Sequence, residues 1–234
     1  MADGWTVGVD VGGTFTDAVA VAGDGRVATA KVVSTPDDPS RALLDALLAL
    51  TADGVVPGAI ERLVHGTTVA TNALVTGSLS RVVLCATDGF TDLLTIRTGQ
   101  RPDMYDLFQP RPAELVSEAD RVAVRERVAG DGEALRPLTA EEIDRVVRAV
   151  RRRRPDSVAV ALLFSYLEPR HEGLLGAALR AALPGVPVTL SSEVAREIRE
   201  YPRTATTVVA AGLRPVMERY LERAAAGVAA LRVT

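Results

Sequence analysis

The stretch Val7–Asp17 near the N-terminus joins two apolar, alternating segments through a pair of glycines. This pattern predicts a β-hairpin with Asp10 near the end of its first strand and with Gly12 and Gly13 in its turn. Glycine accepts backbone angles that other residues avoid, and it has no side chain to keep a phosphate away from main-chain N–H groups. The hairpin is therefore predicted to cradle a phosphate. The alternative is an ordinary β-hairpin with a glycine turn.

Side chains in this hairpin suit the phosphates of a nucleotide. The hydroxyls of Thr14 and Thr16 can donate hydrogen bonds to phosphate oxygens, as the N–H groups of the glycines can. Asp10 and Asp17 are acceptors that suit Mg²⁺ or the water bound to it, and they are the predicted metal residues. The predicted phosphate ligands are Gly12, Gly13, Thr14 and Thr16.

A second polar cluster lies at a predicted strand-to-helix junction. The strand Arg62–His65 leads into Gly66, and a short helix is predicted over Val69–Val75. Helix N–H groups point outward at such a junction and can bind a carbonyl, a carboxylate or a phosphate. The alternative is that a threonine caps the helix and that the histidine is a hydrogen-bonded core residue. The candidate residues are His65, Thr67, Thr68 and Asn72.

The rest of the chain alternates between strand and helix patterns. A third strand is predicted over Arg26–Val33, and the next helix is predicted to have Asp38 as its N-cap and Pro39 at its first position. Alternation over the second half predicts an α/β sheet with parallel pairs. Within that half, one strand is predicted over Val122–Val128 and a long helix over 204–231.

Composition sets limits on the class of protein. The 234 residues are enough for one large or two small domains, and a net charge of −3 gives no positive field that would recruit nucleic acid. The arginine run 151–154 fits the solvated end of a helix. The single cysteine, Cys85, excludes an intrachain disulfide and lies in a buried-strand pattern.

No segment resembles a signal peptide or a membrane span, so a cytoplasmic protein without a membrane partner is expected. Segment 97–120 is predicted to be a long ordered loop, a lid or a lobe contact.

Several motifs together resemble one family. The D-x-G-G-T hairpin resembles the first phosphate loop of the actin, sugar-kinase and Hsp70 ATPase superfamily. With His65–Leu74, it resembles the N-terminal region of the hydantoinase A/5-oxoprolinase family. Asp88–Leu94, Arg101–Leu107 and Glu197–Tyr201 match that family too. The resemblance implies an α/β fold with an actin-like or ribonuclease H-like lobe, whose mixed sheet begins with an antiparallel β-meander and is flanked by helices.

The resemblance also implies an activity, namely ATP-dependent opening of a cyclic amide or imide of the hydantoin or 5-oxoproline type. Transfer of the γ-phosphoryl group to the amide oxygen makes that oxygen a leaving group, so that water can attack. The protein contributes positioning and charge neutralisation. The resemblance implies ATP and Mg²⁺ as cofactors. It also implies Asp10 and His65 as catalytic residues, and substrate contacts from Thr67, Thr68 and Asn72.

The organisation that the resemblance implies is a lobe over residues 1–200 and the start of a following domain over 201–234. Family members carry a second actin-like lobe with its own glycine loop, so this chain is expected to be an N-terminal part or a naturally short homologue, and to be inactive alone. The expected partners are the cyclic amide and a C-terminal lobe or hydantoinase B-type subunit, and self-association is expected as well. Alternatives are a non-catalytic nucleotide-binding or assembly module, an ATP-dependent carboxylase subunit, and a sugar- or acetate-type kinase, against which the His65–Asn72 segment argues.

Overall fold

A computed structural model describes residues 4–99, 105, 106, 108, 113–231 and 233. Of the family-like segment Arg101–Leu107, only Tyr105 and Asp106 lie within the described residues, and part of the predicted loop 97–120 lies outside them. The chain divides into two compact units. Unit 1 comprises the chain up to Ser78 together with the segment from Val216, and unit 2 comprises Leu79–Pro215.

Unit 1 begins with the predicted meander. Its strands are β1 (Trp5–Val11), β2 (Phe15–Ala22) and β3 (Val27–Val33). The following elements are α1 (Pro39–Leu50), 3₁₀ turns at Thr51–Asp53 and Pro57–Ala59, β4 (Ile60–Thr67) and α2 (Val69–Val75). The sheet has the order β3–β2–β1–β4; β1, β2 and β3 are antiparallel, and β4 runs parallel to β1. The expected mixed sheet that begins with an antiparallel meander is confirmed.

The core of unit 1 lies between α1 and one face of this sheet. Asp38 caps α1 as predicted, since its carboxylate accepts a hydrogen bond from the Ser40 N–H at 3.3 Å. Leucines three or four positions apart on α1 are buried against alternate residues of the strands. Each fully buried leucine stabilises the fold by about 2 kcal/mol relative to exposure. The opposite face of the sheet carries the exposed carboxylates of Asp10 and Asp17.

Unit 2 contains a second sheet, which is entirely parallel in the order β10–β9–β5–β6. Its elements are β5 (Val82–Thr87), α3 (Leu93–Ile96), a 3₁₀ turn at Glu118–Asp120, β6 (Arg121–Val124), β7 (Arg127–Val128), β8 (Ala134–Arg136), α4 (Ala140–Arg153), β9 (Ser157–Ala161), α5 (Arg170–Ala182), β10 (Val188–Leu190) and α6 (Ser191–Val194). All residues of β5 and β9 are buried, as is usual in parallel sheets. Cys85 is buried as predicted, and burial raises the pKa of its thiol to about 12.

The predicted strand Val122–Val128 is wrong, because it forms two strands in different sheets. β6 belongs to the parallel sheet, whereas β7 pairs only with β8 in an antiparallel ribbon. Between them the Glu126 N–H donates to the Val124 carbonyl at 2.9 Å, which turns the chain. The buried Glu126 carboxylate then accepts hydrogen bonds from the Thr87 hydroxyl and from His171 Nδ1, the latter at 2.7 Å. These long-range partners outweigh the local alternation.

The helix α7 (Glu200–Ala230) ends the described chain and contains Pro215. Its residues up to Pro215 belong to unit 2, and those from Val216 belong to unit 1. The predicted domain boundary after residue 200 falls at the first residue of this helix and stays a prediction. Among the described helices, α7 included, none combines the length and the apolar character needed to cross a membrane.

Loss of the α1 cap provides a test of unit 1. We expect Asp38→Ala to lower the free energy of unfolding by about 1 kcal/mol, because the helix loses a side-chain acceptor for its first N–H groups. The hydrogen bonds from Ser40 lower the pKa of the Asp38 carboxyl. Its contribution is therefore present above the ordinary pKa near 4 and is lost as the pH falls through the lowered folded-state pKa.

The measurement is urea unfolding at pH 7 and at low pH, followed by the fluorescence of Trp5, the single tryptophan and a core residue of unit 1. Asp37→Ala is the matched control, since the Asp37 side chain is 75% exposed and makes only a surface ion pair with Arg41. An equal loss of stability in both variants would show that the cap does not stabilise the helix.

Candidate functional site

The two glycines of the turn between β1 and β2 have different surroundings and different roles. The Gly12 N–H donates to the Phe15 carbonyl at 3.1 Å, and a Cβ on Gly12 would lie 2.8 Å from that oxygen. A Cβ on Gly13 would meet only the Asn72 side-chain nitrogen, at 3.6 Å. Neither glycine adopts the left-handed backbone angles that glycine readily accepts. Gly12 is needed for the close turn, whereas Gly13 leaves open space beside Asn72.

The two threonines of the hairpin lie in different environments. Thr14 is exposed, and its carbonyl accepts a hydrogen bond from the Ser34 N–H at 2.9 Å. Thr16 is fully buried, and its hydroxyl shares a hydrogen bond of 2.9 Å with the Ser34 hydroxyl. The structure therefore places Thr14 where a ligand can reach it. Thr16 instead ties the hairpin to the loop after β3, which departs from its predicted role as a phosphate ligand.

The two aspartates of the hairpin face the same side of the sheet. Asp10 and Asp17 are directly opposite each other in the β1–β2 ladder, and both are exposed. Lys31 Nζ lies 2.8 Å from an Asp17 carboxylate oxygen. Asp10 faces Gly66, where an added Cβ would come within 3.2 Å of its carboxylate. No cation of the described chain forms an ion pair with Asp10, so its carboxylate is available at this face.

The donor set restricts how a metal could bind. Within the described residues no group of three or more histidine, cysteine or acidic side chains comes together. Mg²⁺ usually keeps several waters and is held by one or two carboxylates together with substrate phosphates. Asp10 and Asp17 fit a magnesium ion that arrives with a nucleotide, and they do not form a resident metal cage.

His65 lies on the opposite face of the sheet from Asp10. In the parallel β1–β4 ladder His65 is beside Val9, while Asp10 is beside Gly66. His65 Nδ1 lies 3.4 Å from the Val9 carbonyl oxygen, and Nε2 is hydrogen-bonded to the Tyr220 hydroxyl. Because a carbonyl only accepts, Nδ1 carries the proton and Nε2 accepts from the tyrosine. The structure thus does not bring the two predicted catalytic residues together.

The junction between β4 and α2 is held by its own polar side chains. Thr67 Oγ1 accepts from the Val69 N–H at 3.2 Å, so this threonine takes the capping role of the alternative interpretation. The Thr68 N–H and hydroxyl donate to the Val11 carbonyl at 3.1 and 3.3 Å. The Asn72 side-chain nitrogen donates to the Thr68 hydroxyl at 3.3 Å, which directs Asn72 towards the glycine turn.

A pocket of about 420 Å³ in unit 1 opens beside the glycine turn. It brings together four of the predicted residues, Gly12, Gly13, Thr68 and Asn72. It is lined by Val11, Gly12, Gly13, Ser34, Thr35, Pro36, Asp37, Asp38, Pro39, Thr68, Val69, Asn72, Ala73, Thr76, Ser78, Val216, Arg219, Tyr220 and Arg223. The predicted residues outside this lining are Asp10, Thr14, Thr16, Asp17, His65 and Thr67.

Sequence reasoning missed the part of the wall that α7 contributes. Arg223 is four positions from Arg219 and three from Tyr220, which are the spacings of neighbouring side chains on a helix. The spacing was visible in the sequence, but nothing local showed that this helix returns to the glycine turn. Tyr220 is buried, and its burial raises the pKa of the phenol against an opposing hydrogen bond from Thr67.

Comparison with known proteins supports one family. A profile described as the hydantoinase/oxoprolinase N-terminal region matches residues 6–183. The caprolactamase subunit alpha of Pseudomonas jessenii is 39% identical over 226 residues, which are 94% of this chain and 32% of that protein. The chain thus spans about a third of the length of this relative.

Solved structures show the same relationship. The crystal structure of ATP-dependent caprolactamase from Pseudomonas jessenii matches 97% of this chain and 34% of its own, with a TM-score of 0.87 and 37% identity. A nucleotide-free acetone carboxylase structure matches 98% of this chain and 35% of its own, with a TM-score of 0.83 and 21% identity, which supports the fold alone. Both have the actin-like ATPase fold, so the predicted fold class is confirmed.

The contact between His65 and Tyr220 yields a prediction. We expect Tyr220→Phe to lower the free energy of unfolding by about 1 kcal/mol, since the partly buried Nε2 atom of His65 loses its donor. Nitrogen-15 NMR of the wild type should show the proton on Nδ1 of His65, and the variant should shift the balance towards the other tautomer. With only two histidines in the chain, the signals can be assigned directly.

Tyr166→Phe is the control, because the Tyr166 hydroxyl has no hydrogen bond to any described residue. Unfolding followed by circular dichroism should leave this control close to the wild type. An unchanged His65 tautomer in Tyr220→Phe, together with unchanged stability, would contradict the hydrogen bond.

Proposed function

Since this chain belongs to the hydantoinase/oxoprolinase family, we propose that it is the phosphate-holding lobe of an enzyme that opens a cyclic amide at the expense of ATP. The observation that carries the proposal is the pocket that joins the Gly12–Gly13 turn to Thr68 and Asn72. The chain is 39% identical to a caprolactamase subunit and 32% identical to an acetophenone carboxylase gamma subunit, and this difference favours amide opening over carboxylation.

ATP would supply the driving force, because transfer of its terminal phosphoryl group to the amide oxygen gives the ring-opening step a leaving group. The residues of this chain hold and orient the phosphates. The Gly13 N–H and the Thr14 hydroxyl donate to phosphate oxygens, and the open space at Gly13 admits them. The Gly12 N–H is bonded to the Phe15 carbonyl, so Gly12 shapes the turn. Thr16 supports this loop through Ser34.

The other predicted residues have different roles on the two faces of the unit 1 sheet. Asp10 would contact the waters of a nucleotide-bound Mg²⁺, whereas Asp17 would contribute less because its carboxylate is paired with Lys31. Asn72 contacts the phosphates or the amide of the substrate from the pocket side, and Thr68, whose hydroxyl donates to Val11 and accepts from Asn72, holds it there. His65 and Thr67 act as positioning residues at the β4–α2 junction, because their polar atoms already have partners in the chain.

Partners and location follow from the same reasoning. The Pseudomonas relative is named as a subunit, and we propose that this chain also works with a further lobe or subunit that completes the nucleotide site. A cyclic amide is the proposed substrate. The free, buried Cys85 suits the reducing cytoplasm, which is the proposed location.

A valine at Gly13 tests the phosphate site. We expect Gly13→Val to fold, since its Cβ meets only Asn72 at an ordinary contact distance, and to lose MgATP binding because the side chain fills the cradle. The wild-type chain should bind MgATP with a dissociation constant of roughly 1 mM, since contacts to phosphate in an open pocket are screened by water. Phosphorus-31 NMR titration measures both affinities.

Gly8→Val is the matched control for this substitution. Gly8 lies on β1, the strand that leads into the glycine turn, and a Cβ there meets nothing within 4 Å. The control should bind MgATP as the wild type does. Equal affinities of the wild type and Gly13→Val would overturn the phosphate site, and substrate-stimulated phosphate release by the isolated chain would show that no further lobe is needed.

Asp10→Asn tests the magnesium assignment. In the wild type we expect MgATP to bind more tightly than metal-free ATP. Asparagine removes about 1 kcal/mol of attraction to the hydrated cation, so the preference should fall roughly fivefold. Binding of metal-free ATP should stay equal or become tighter, because a like charge near the phosphates is removed.

Asp17→Asn provides the comparison, and its effect should be smaller because Lys31 already neutralises that carboxylate. The measurement is calorimetric titration with ATP in the presence of Mg²⁺ or of a chelator. A fall in affinity for both forms of ATP in Asp10→Asn would indicate that this aspartate supports the hairpin and does not act on the metal.

A further inference from the structure

We propose that Arg219, on α7, is the cationic residue that contacts the polyphosphate of a nucleotide in the pocket beside the glycine turn. This inference rests on the proposed function, because it names a further ligand in the same pocket. Arg219 lines the pocket together with Gly12, Gly13 and Asn72, and it does so from a part of the chain that the sequence motifs do not reach.

The charges around the pocket single out Arg219. Arg223 lies 3.4 Å from Asp38, and Arg41 lies 3.5 Å from Asp37, so the two acidic residues of the lining each have a basic partner. Within the described part of the chain, Arg219 has neither an ion pair nor a hydrogen bond. It is therefore the cation of the lining that remains available to a ligand.

The glycine turn itself lacks a usable positive charge. The chain has a single lysine, Lys31, which is bound to Asp17 at 2.8 Å and lies 5.0 Å from the centre of the Phe15 ring. Main-chain N–H groups and threonine hydroxyls donate hydrogen bonds, but they cannot neutralise a triphosphate. An arginine supplies charge and two parallel N–H donors, a geometry that matches a phosphate group.

The position of Arg219 is fixed by its neighbour in the sequence. Tyr220 is 5% exposed and is hydrogen-bonded to His65 at the end of β4. This bond sets the register of α7 against the strand that pairs with β1. With Tyr220 held, the preceding residue lies at the pocket, which has enough volume for a phosphate chain.

The test compares Arg219→Gln with Arg152→Gln, which removes the same charge from an exposed helical position in unit 2. Arginine and glutamine have similar helix propensities, so both variants should fold. Phosphorus-31 titrations at low ionic strength use two probes, MgATP and magnesium tripolyphosphate. We expect Arg219→Gln to bind both probes roughly tenfold more weakly and Arg152→Gln to match the wild type. Arg219→Lys should lie between, because it keeps the charge and loses the paired donors.

Three outcomes would overturn the inference. Arg219→Gln within twofold of the wild type, while Gly13→Val loses binding, leaves the proposed function standing and removes Arg219 from the site. A loss with MgATP but not with tripolyphosphate assigns Arg219 to the nucleoside and contradicts a phosphate contact. If the wild type binds neither probe, the proposed function fails together with this inference.

Discussion

The parallel pairing of β4 with β1 is the contact on which the candidate site depends. It sets Gly66 and Thr67 beside Asp10 and Val11, so the glycine turn after one strand and the helix after the other meet at one edge of the sheet. Thr68 reinforces this register, because its N–H and its hydroxyl both donate to the Val11 carbonyl. A shift by one residue would turn every side chain of β4 to the other face. The register therefore assembles the pocket before any single side chain contributes.

The same pairing divides the polar residues between two faces of the sheet. One face carries the carboxylates of Asp10 and Asp17, which remain accessible, and the other holds His65 above the apolar core. Nucleotide phosphates at the glycine turn would lie at the border between these faces. Magnesium chemistry and cationic contacts could then come from different sides of one hairpin, and this division explains why the two residues expected to act together do not meet.

A hydrogen bond between two residues that are distant in the sequence adds α7 to the pocket. His65 and Tyr220 are 155 positions apart, yet their hydrogen bond holds the last part of α7 at the end of β4. The tyrosine is buried, whereas its neighbour Arg219 is exposed at the pocket. One helix thereby contributes a buried tyrosine and, at the preceding position, an exposed arginine to the pocket wall.

The sequence by itself determined the elements whose causes are local. The hairpin, the Asp38 cap and the bounds of α2 depend on residues a few positions apart, and the structure has them as predicted. The motifs also identified the family, since they lie in short continuous segments. Only the tertiary structure decided that Glu126 breaks a predicted strand and that Thr16 points into the core. It alone added α7 to the pocket wall. These outcomes depend on partners far along the chain, and the free energy of burying a polar group is settled by the partner that it meets.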